Sequence, residues 1–253
     1  MDQVQADLFY SPKRTLARAH HHIEVLRSKT DDFMNGRAPG TYMIERRPGP
    51  KNQHTIKFDR DFFEELCSIA FDAANNLRSA LDQTAYATAL ADGTLKPKKA
   101  YFPMAGSLEK LDDVVKGRCA DLRPEIIALF RTFHPYAGGN LWLAALNTLC
   151  NTQKHATLIP FKTDKHQVMY VTKGIMLGFG HRWDPQSFAL ELLGLNGADF
   201  TNGGGYFAFG LSFASSDPVI GGSDPAGLLG GAAIQVDRVL KETELECQRL
   251  GLS

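Results

Sequence analysis

The chain has 253 residues, 43% of them hydrophobic and 22% charged, with a formal net charge of zero. That length and balance suit one globular unit with a sizeable core. The absence of a basic excess argues against bulk electrostatic binding to duplex DNA. The local asymmetries, eleven Lys/Arg against seven Asp/Glu in the first 60 residues and the run Lys96, Lys98, Lys99, read as solvated surface. The four cysteines, Cys67, Cys119, Cys150 and Cys247, show no C-x-x-C spacing and are too few to scaffold the chain through disulfides. Residues 1–14 contain no apolar signal-like segment, and the longest apolar stretches, such as 226–236, are short and glycine-rich. A cytoplasmic protein that does not enter the membrane is expected.

Taken in order, residues 11–35 predict a long helix. Ser11 is a cap, Pro12 lies in the first turn, and Leu16, Ala19, Ile23, Leu26 and Phe33 form an apolar stripe with Thr30 filling one step. TYMIE and HTIKF, separated by RRPGPKNQ, predict a hairpin over 41–58. A second long helix runs from about Arg60 to Ala91 with Leu66, Ala70, Ala73, Leu77 and Leu81 on its main face, antiparallel to the first. Short helices fit 107–117 and 124–133. His134-Pro135 is a break, Gly138-Gly139 a turn, and Asn140 caps a helix over 141–155. After His155, ATLIPF, QVMYVT, GIMLGF and FALELL predict strands, and 206–213 is the clearest one because Phe207, Phe209, Leu211 and Phe213 alternate with Tyr206, Ala208, Gly210 and Ser212. Two Ser-Asp-Pro triplets and dense glycine predict a mobile loop over 214–231. An amphipathic helix follows at 232–250, with Val236, Leu240, Thr243, Cys247 and Leu250 on one face.

Several sequence features point to bland readings. Gly203-Gly204-Gly205 and Gly221-Gly222 lack the lysine and helix register of a phosphate loop, so they read as turns. His20, His21 and His22 fan out around a helix at about 100° steps, so they cannot converge on one metal. There is no G-x-S-x-G. No cofactor and no metal is expected.

The informative features are two polar stripes on otherwise apolar helices. Phe71, Asn75, Arg78 and Asp82 stack at steps of four, three and four, and Arg78 and Asp82 are an i,i+4 pair. Asn147, Asn151, Lys154 and His155 run down the flank opposite Trp142, Leu146 and Leu149. The two stripes complement each other in charge and are expected to face across a helix–helix seam, because buried polar groups must be paired. One outcome is an interhelical ion-pair network with the asparagines satisfying backbone groups. The other is a cleft in which Arg78 and Lys154 hold an anion and His155 moves a proton.

The run NNLRSALDQTAYA, the pair Phe102-Pro103 and the later LWLAALNTLCNTQKHATL resemble a widespread group of uncharacterised bacterial proteins with an HNLRSALDH-like helix, a Phe-Pro segment and an NxDKH-like helix end. The resemblance spans roughly residues 8–160. The Arg-x4-His spacing of such members is loosely similar to HEPN helical domains, many of which are metal-independent ribonucleases. Arg78, Asp82, Asn151, Lys154 and His155 match the pattern, whereas Asn75, Gln83 and Gln153 stand where it has His, His and Asp. The resemblance implies candidate catalytic residues Arg78, Asp82, Lys154 and His155 and candidate binding residues Asn75 and Asn151.

The expected fold is α+β in one domain over 1–253. A helical bundle (8–156) carries a short β-hairpin after its first helix, and a C-terminal antiparallel sheet (157–213) is closed by a final helix. The expected function is a non-catalytic interaction or structural protein built around a polar interhelical cluster. The alternative is a HEPN-like ribonuclease or RNA-binding protein of a defence or stress system. Its partner would be RNA or another protein, a second copy of the chain included.

Overall fold

A computed structural model describes residues 7–47, 53–152, 157–159, 168–173, 175–193, 200, 204–214 and 219–252. The fold is mixed α+β. Helices α1 (Tyr10–Met34), α2 (Arg60–Ala91), α3 (Leu111–Arg118), α4 (Pro124–Thr132), α5 (Leu141–Thr152) and α6 (Pro225–Arg249) accompany strands β1 (Tyr42–Arg47), β2 (Gln53–Phe58), β3 (Thr157–Ile159), β4 (Val168–Thr172), β5 (Ile175–Asp184), β6 (Ala189–Leu193), β7 (Tyr206–Ala208) and β8 (Ser212–Ala214). None of the helices among the described residues is long and apolar enough to cross a membrane.

The centre of the bundle is α2. Asp59 caps it by accepting the Asp61 N–H at 3.1 Å. Its inward face is alanine-rich: Ala70, Ala73, Ala74, Ala80 and Ala85 are buried alongside Leu66, Leu77 and Leu81. Such small side chains let neighbouring helices approach closely without losing packing density. Side-chain bridges fix the directions. Thr15 Oγ1 donates to Gln83 Oε1 at 3.0 Å and Lys29 pairs with Glu65 at 3.0 Å, so α1 and α2 run antiparallel. Lys13 meets Glu244 at 2.7 Å, which places the far end of α6 beside the start of α1. Ser11 does not cap α1. The helix begins at Tyr10, and the Ser11 hydroxyl reaches across to Gln83 at 3.0 Å.

Beside the bundle, six strands pair antiparallel in the order β1-β2-β6-β5-β4-β7, and β3 pairs with β8 in a second, two-stranded sheet. The N-terminal hairpin is therefore not an isolated ornament. Through Ile56↔Leu190 and His54↔Leu192 it forms one edge of the C-terminal sheet. The sheet's inner face and the helices share an aromatic core. The Phe33 ring stacks on Phe209 at 5.5 Å and meets Phe63 edge-on at 5.4 Å, and Phe58 meets Phe209 edge-on at 5.0 Å. Tyr42 accepts the Phe207 N–H at 3.1 Å, and burial pushes its phenol above the usual value. In the same face His54 is 1% exposed, and neither ring nitrogen has a hydrogen-bond partner among the described residues. Its ring meets Phe200 edge-on at 5.3 Å.

Two expectations are overturned. The strand expected over 206–213 is two strands. β7 pairs with β4, whereas β8 leaves to pair with β3, and the chain breaks over Phe209–Leu211. The alternation of buried phenylalanines survives the break because Phe207, Phe209, Leu211 and Phe213 are all buried. The mobile loop expected over 214–231 is largely ordered. The segment 215–218 lies outside the described residues, but Ile220 is buried and α6 starts at Pro225 rather than at 232. The second Ser-Asp-Pro triplet is a helix start: the Asp224 carboxylate accepts the Gly227 N–H at 2.6 Å and Pro225 occupies the first turn. At Gly231 the glycine serves contact rather than flexibility. A Cβ on Gly231 would sit 2.5 Å from the Trp142 ring of α5.

Candidate functional site

The middle of α2 presents Arg78 and Asp82 one turn apart on the border of its buried face, beside fully buried Leu77 and Leu81. Their side chains are 15% and 24% exposed, so neither is sealed and neither is free in water. Arg78 Nε lies 3.4 Å from Asp82 Oδ2. Arg78 Nη1 donates to Asn147 Oδ1 on α5 at 3.2 Å and also meets the Met104 sulfur. Asp82 Oδ1 accepts the Phe102 backbone N–H at 3.1 Å, and Arg118, from α3, stands 3.8 Å from Oδ2. One carboxylate and one guanidinium therefore tie together α2, α5, the end of α3 and the extended segment 100–104.

That segment is held from its other side as well. The Cys119 thiol donates to the Tyr101 carbonyl at 3.1 Å, and Asp121 accepts the N–H groups of Lys98 and Lys99 at 2.6 and 2.8 Å. Those two N–H bonds hold the Asp121 carboxyl below its ordinary value. Burial pushes the Cys119 thiol up to about 11. Burial does the same to Cys150 of α5, whose thiol contacts the Ala74 carbonyl at 3.6 Å and is also pushed up to about 11. Both thiols are packed into their surroundings, where burial disfavours the thiolate.

An open cleft of about 280 Å³ lies against this cluster, lined among others by Ser79, Asp82, Gln83, Tyr86, Lys98 and Tyr101. Tyr86 and Tyr101 are each 42% exposed, high for aromatic side chains. The Arg118 guanidinium lies over the Tyr101 ring at 4.9 Å. The Gln83 carbonyl oxygen takes the Ser11 and Thr15 hydroxyls, both at 3.0 Å, which leaves its amide hydrogens as donors. Chemically, the cleft offers two aromatic faces, an amide donor, the Ser79 hydroxyl and one cation, Lys98, with Arg118 beside Tyr101. Its one carboxylate already has both oxygens engaged.

The structure brings Arg78, Asp82 and Asn147 together, with α5 running antiparallel to α2 at this contact. Asn75 and Asn151 are exposed at the edges of their helices. Lys154 and His155 lie outside the described residues, and so does Gln153. Sequence reasoning missed Arg118, Met104 and the Phe102 N–H, which come from the stretch after α2. The only sequence signal for them was the Phe102-Pro103 pair. Among the described residues, no group of three His, Cys, Asp or Glu side chains could hold a metal ion. His20 and His21 are exposed on α1. Set against protein-family models, curated proteins and solved structures, the chain matches none of them.

Proposed function

We propose that this chain is a non-catalytic interaction protein, in which the Arg78–Asp82 cluster is a structural tie and the adjacent cleft is the contact surface for a partner. The observation that carries this reading is the double engagement of Asp82. One oxygen accepts the Phe102 N–H and the other faces two guanidinium groups, so the carboxylate is engaged in holding three segments together. The rim of Tyr86, Tyr101 and Arg118 has the composition that dominates binding energy at protein interfaces. The HEPN-like ribonuclease reading rests on Lys154 and His155 and on a histidine that Gln83 replaces.

Arg78→Ala separates the two. It removes a donor from Asn147 and a charge from Asp82, and it is expected to lower stability by about 2 kcal/mol, read by chemical denaturation. Pure protein incubated with total RNA is expected to leave the RNA intact. A variant that melts like the parent while losing RNA binding or cleavage that the parent shows would overturn the proposal.

A further inference from the structure

A second cleft shares no lining residue with the first and has a different chemical character. It opens between the end of α4, the turn 133–140 and α6, with a volume of about 370 Å³. Its polar lining consists of Thr132, His134, Tyr136, Asn140 and Arg238, and no carboxylate lines it. The Thr132 hydroxyl donates to the Leu129 carbonyl and Asn140 is taken up by Gln235 and the start of α5, so the groups left to meet an oxyanion are the His134 imidazole and the Arg238 guanidinium, whose Nε is held by Glu242.

The turn is built tightly around the histidine. The His134 carbonyl accepts the Tyr136 N–H at 2.8 Å and the Asn140 N–H at 2.9 Å. A Cβ on Gly139 would lie 2.5 Å from that same carbonyl oxygen, so this position takes only glycine. His134 itself has φ +49° directly after the last turn of α4. That is the left-handed position where a glycine ends a helix without strain, and a histidine there is strained. Helix termination does not require the imidazole. Chemistry does: the Tyr136 hydroxyl sits 3.3 Å from His134 Nδ1. Either group can donate in this contact; in the tautomer with the hydroxyl as donor, the ring proton is on Nε2 and that N–H is left as a donor. Arg238 is oriented in the same way. Its Nε is held by Glu242 at 2.6 Å and its guanidinium lies 5.6 Å from the Phe133 ring centre, which leaves both Nη groups as donors.

We propose that this cleft is a binding site for a phosphate group, taken as inorganic phosphate or as the phosphate end of a small monoester. Arg238 Nη and His134 Nε2 are the principal donors, Tyr136 orients the imidazole, and the remaining volume accommodates the organic part of the ester. The site does not depend on the role assigned to Arg78 and Asp82, so the two fail independently.

The test is isothermal titration of the full chain with inorganic phosphate in a phosphate-free buffer, with glycerol phosphate as a second probe and acetate as a planar comparison. The parent is expected to bind one phosphate at millimolar concentration or below, and acetate at least tenfold more weakly. Arg238→Gln is expected to lose at least tenfold in affinity. His134→Gly is the decisive variant: it is expected to melt at or above the parent's temperature, because it relieves the left-handed strain, and to lose at least tenfold in affinity. Lys241→Gln, an exposed cation one turn along α6 that does not line the cleft, is expected to bind like the parent. Absence of phosphate binding by the parent overturns the proposal. So does affinity that survives both Arg238→Gln and His134→Gly, or a Lys241→Gln variant that weakens as much as Arg238→Gln.

Discussion

Arg78 and Asp82 in the helical half and His54 in the sheet are polar groups drawn into apolar surroundings, yet the two regions treat them in opposite ways. Around Asp82, three segments contribute a donor or a cation: α2 through Arg78, the extended segment through the Phe102 N–H and α3 through Arg118, and the last two tether α2 to its neighbours. Around His54 the neighbours are aromatic and aliphatic, and both ring nitrogens stay unpartnered among the described residues. The difference follows from geometry. Helices meet along seams where long side chains from several elements converge, so a polar group on a helix border is readily answered. A strand side chain on a sheet's inner face meets only what packs on that face, and for His54 that includes the Phe200 ring. Burial is therefore a poor guide to how much a polar group stabilises the fold. What counts is the number of groups that answer it.

The largest expected effect lies at the answered group. Asp82→Ala leaves the Phe102 N–H without an acceptor and the Arg78 guanidinium without its carboxylate, and is expected to cost about 3 kcal/mol, measured by urea unfolding. Asp82→Asn keeps an oxygen for the Phe102 N–H and is expected to recover part of that loss. If both variants unfold like the parent, Asp82 is not a tether and the contrast with the sheet collapses. At the unanswered group the sign reverses. His54→Leu removes two buried polar atoms without breaking a bond, and is expected to stabilise the protein by about 1 kcal/mol. A destabilised His54→Leu variant would show that the imidazole has a partner after all.

The smallest expected effect concerns the thiols. Burial pushes Cys119, Cys150 and Cys247 each up to about 11, from an ordinary value of 9.0. They therefore stay protonated at pH 8 and resist alkylation in the folded state. Mass spectrometry after iodoacetamide treatment at pH 8 is expected to find these three unmodified in native protein and modified in urea. The sign for stability follows from the same shift. A thiol whose folded value is raised supports the fold fully below its ordinary value, and that support is lost as pH rises from about 9 towards about 11. Rapid native alkylation of Cys119 would contradict the packed segment that Asp82 anchors.

The helices were legible in the sequence because helical period is local. The second helix reads from Arg60 to Ala91, and its apolar face lists the residues that are buried. What failed depended on partners far along the chain. The start of α6 was hidden because glycine was read as flexibility, when Gly231 gives room to a ring of α5. The strand over 206–213 alternates as a single strand would, but which neighbour each half pairs with is decided by β4 and β3. The same limit applies to the cluster. Arg78 and Asp82 declare each other by spacing, whereas Arg118 and the Phe102 N–H reach Asp82 through a turn that no periodicity describes. The cleft beneath His134 and Arg238 was invisible for the same reason, since His134-Pro135 reads only as a helix break.

The joining of the hairpin β1–β2 to β6 has a consequence for how the chain reaches its fold. Strand β2 cannot complete its pairing until residues 189–193 exist to receive it, and α1 meets its partner on α6 across 231 positions, Lys13 to Glu244. Both halves are thus closed by the last third of the chain. During synthesis the early hairpin waits with one edge unpaired, an open template for strands of other chains. Closure over such long loops is slow compared with helix formation, so the α1–α2 pair is expected to form before the sheet. A chain that stops before α6 lacks Leu229, Ala233, Val236 and Leu240, which are buried in the core, at the moment that edge is still exposed, which makes truncated product an aggregation hazard.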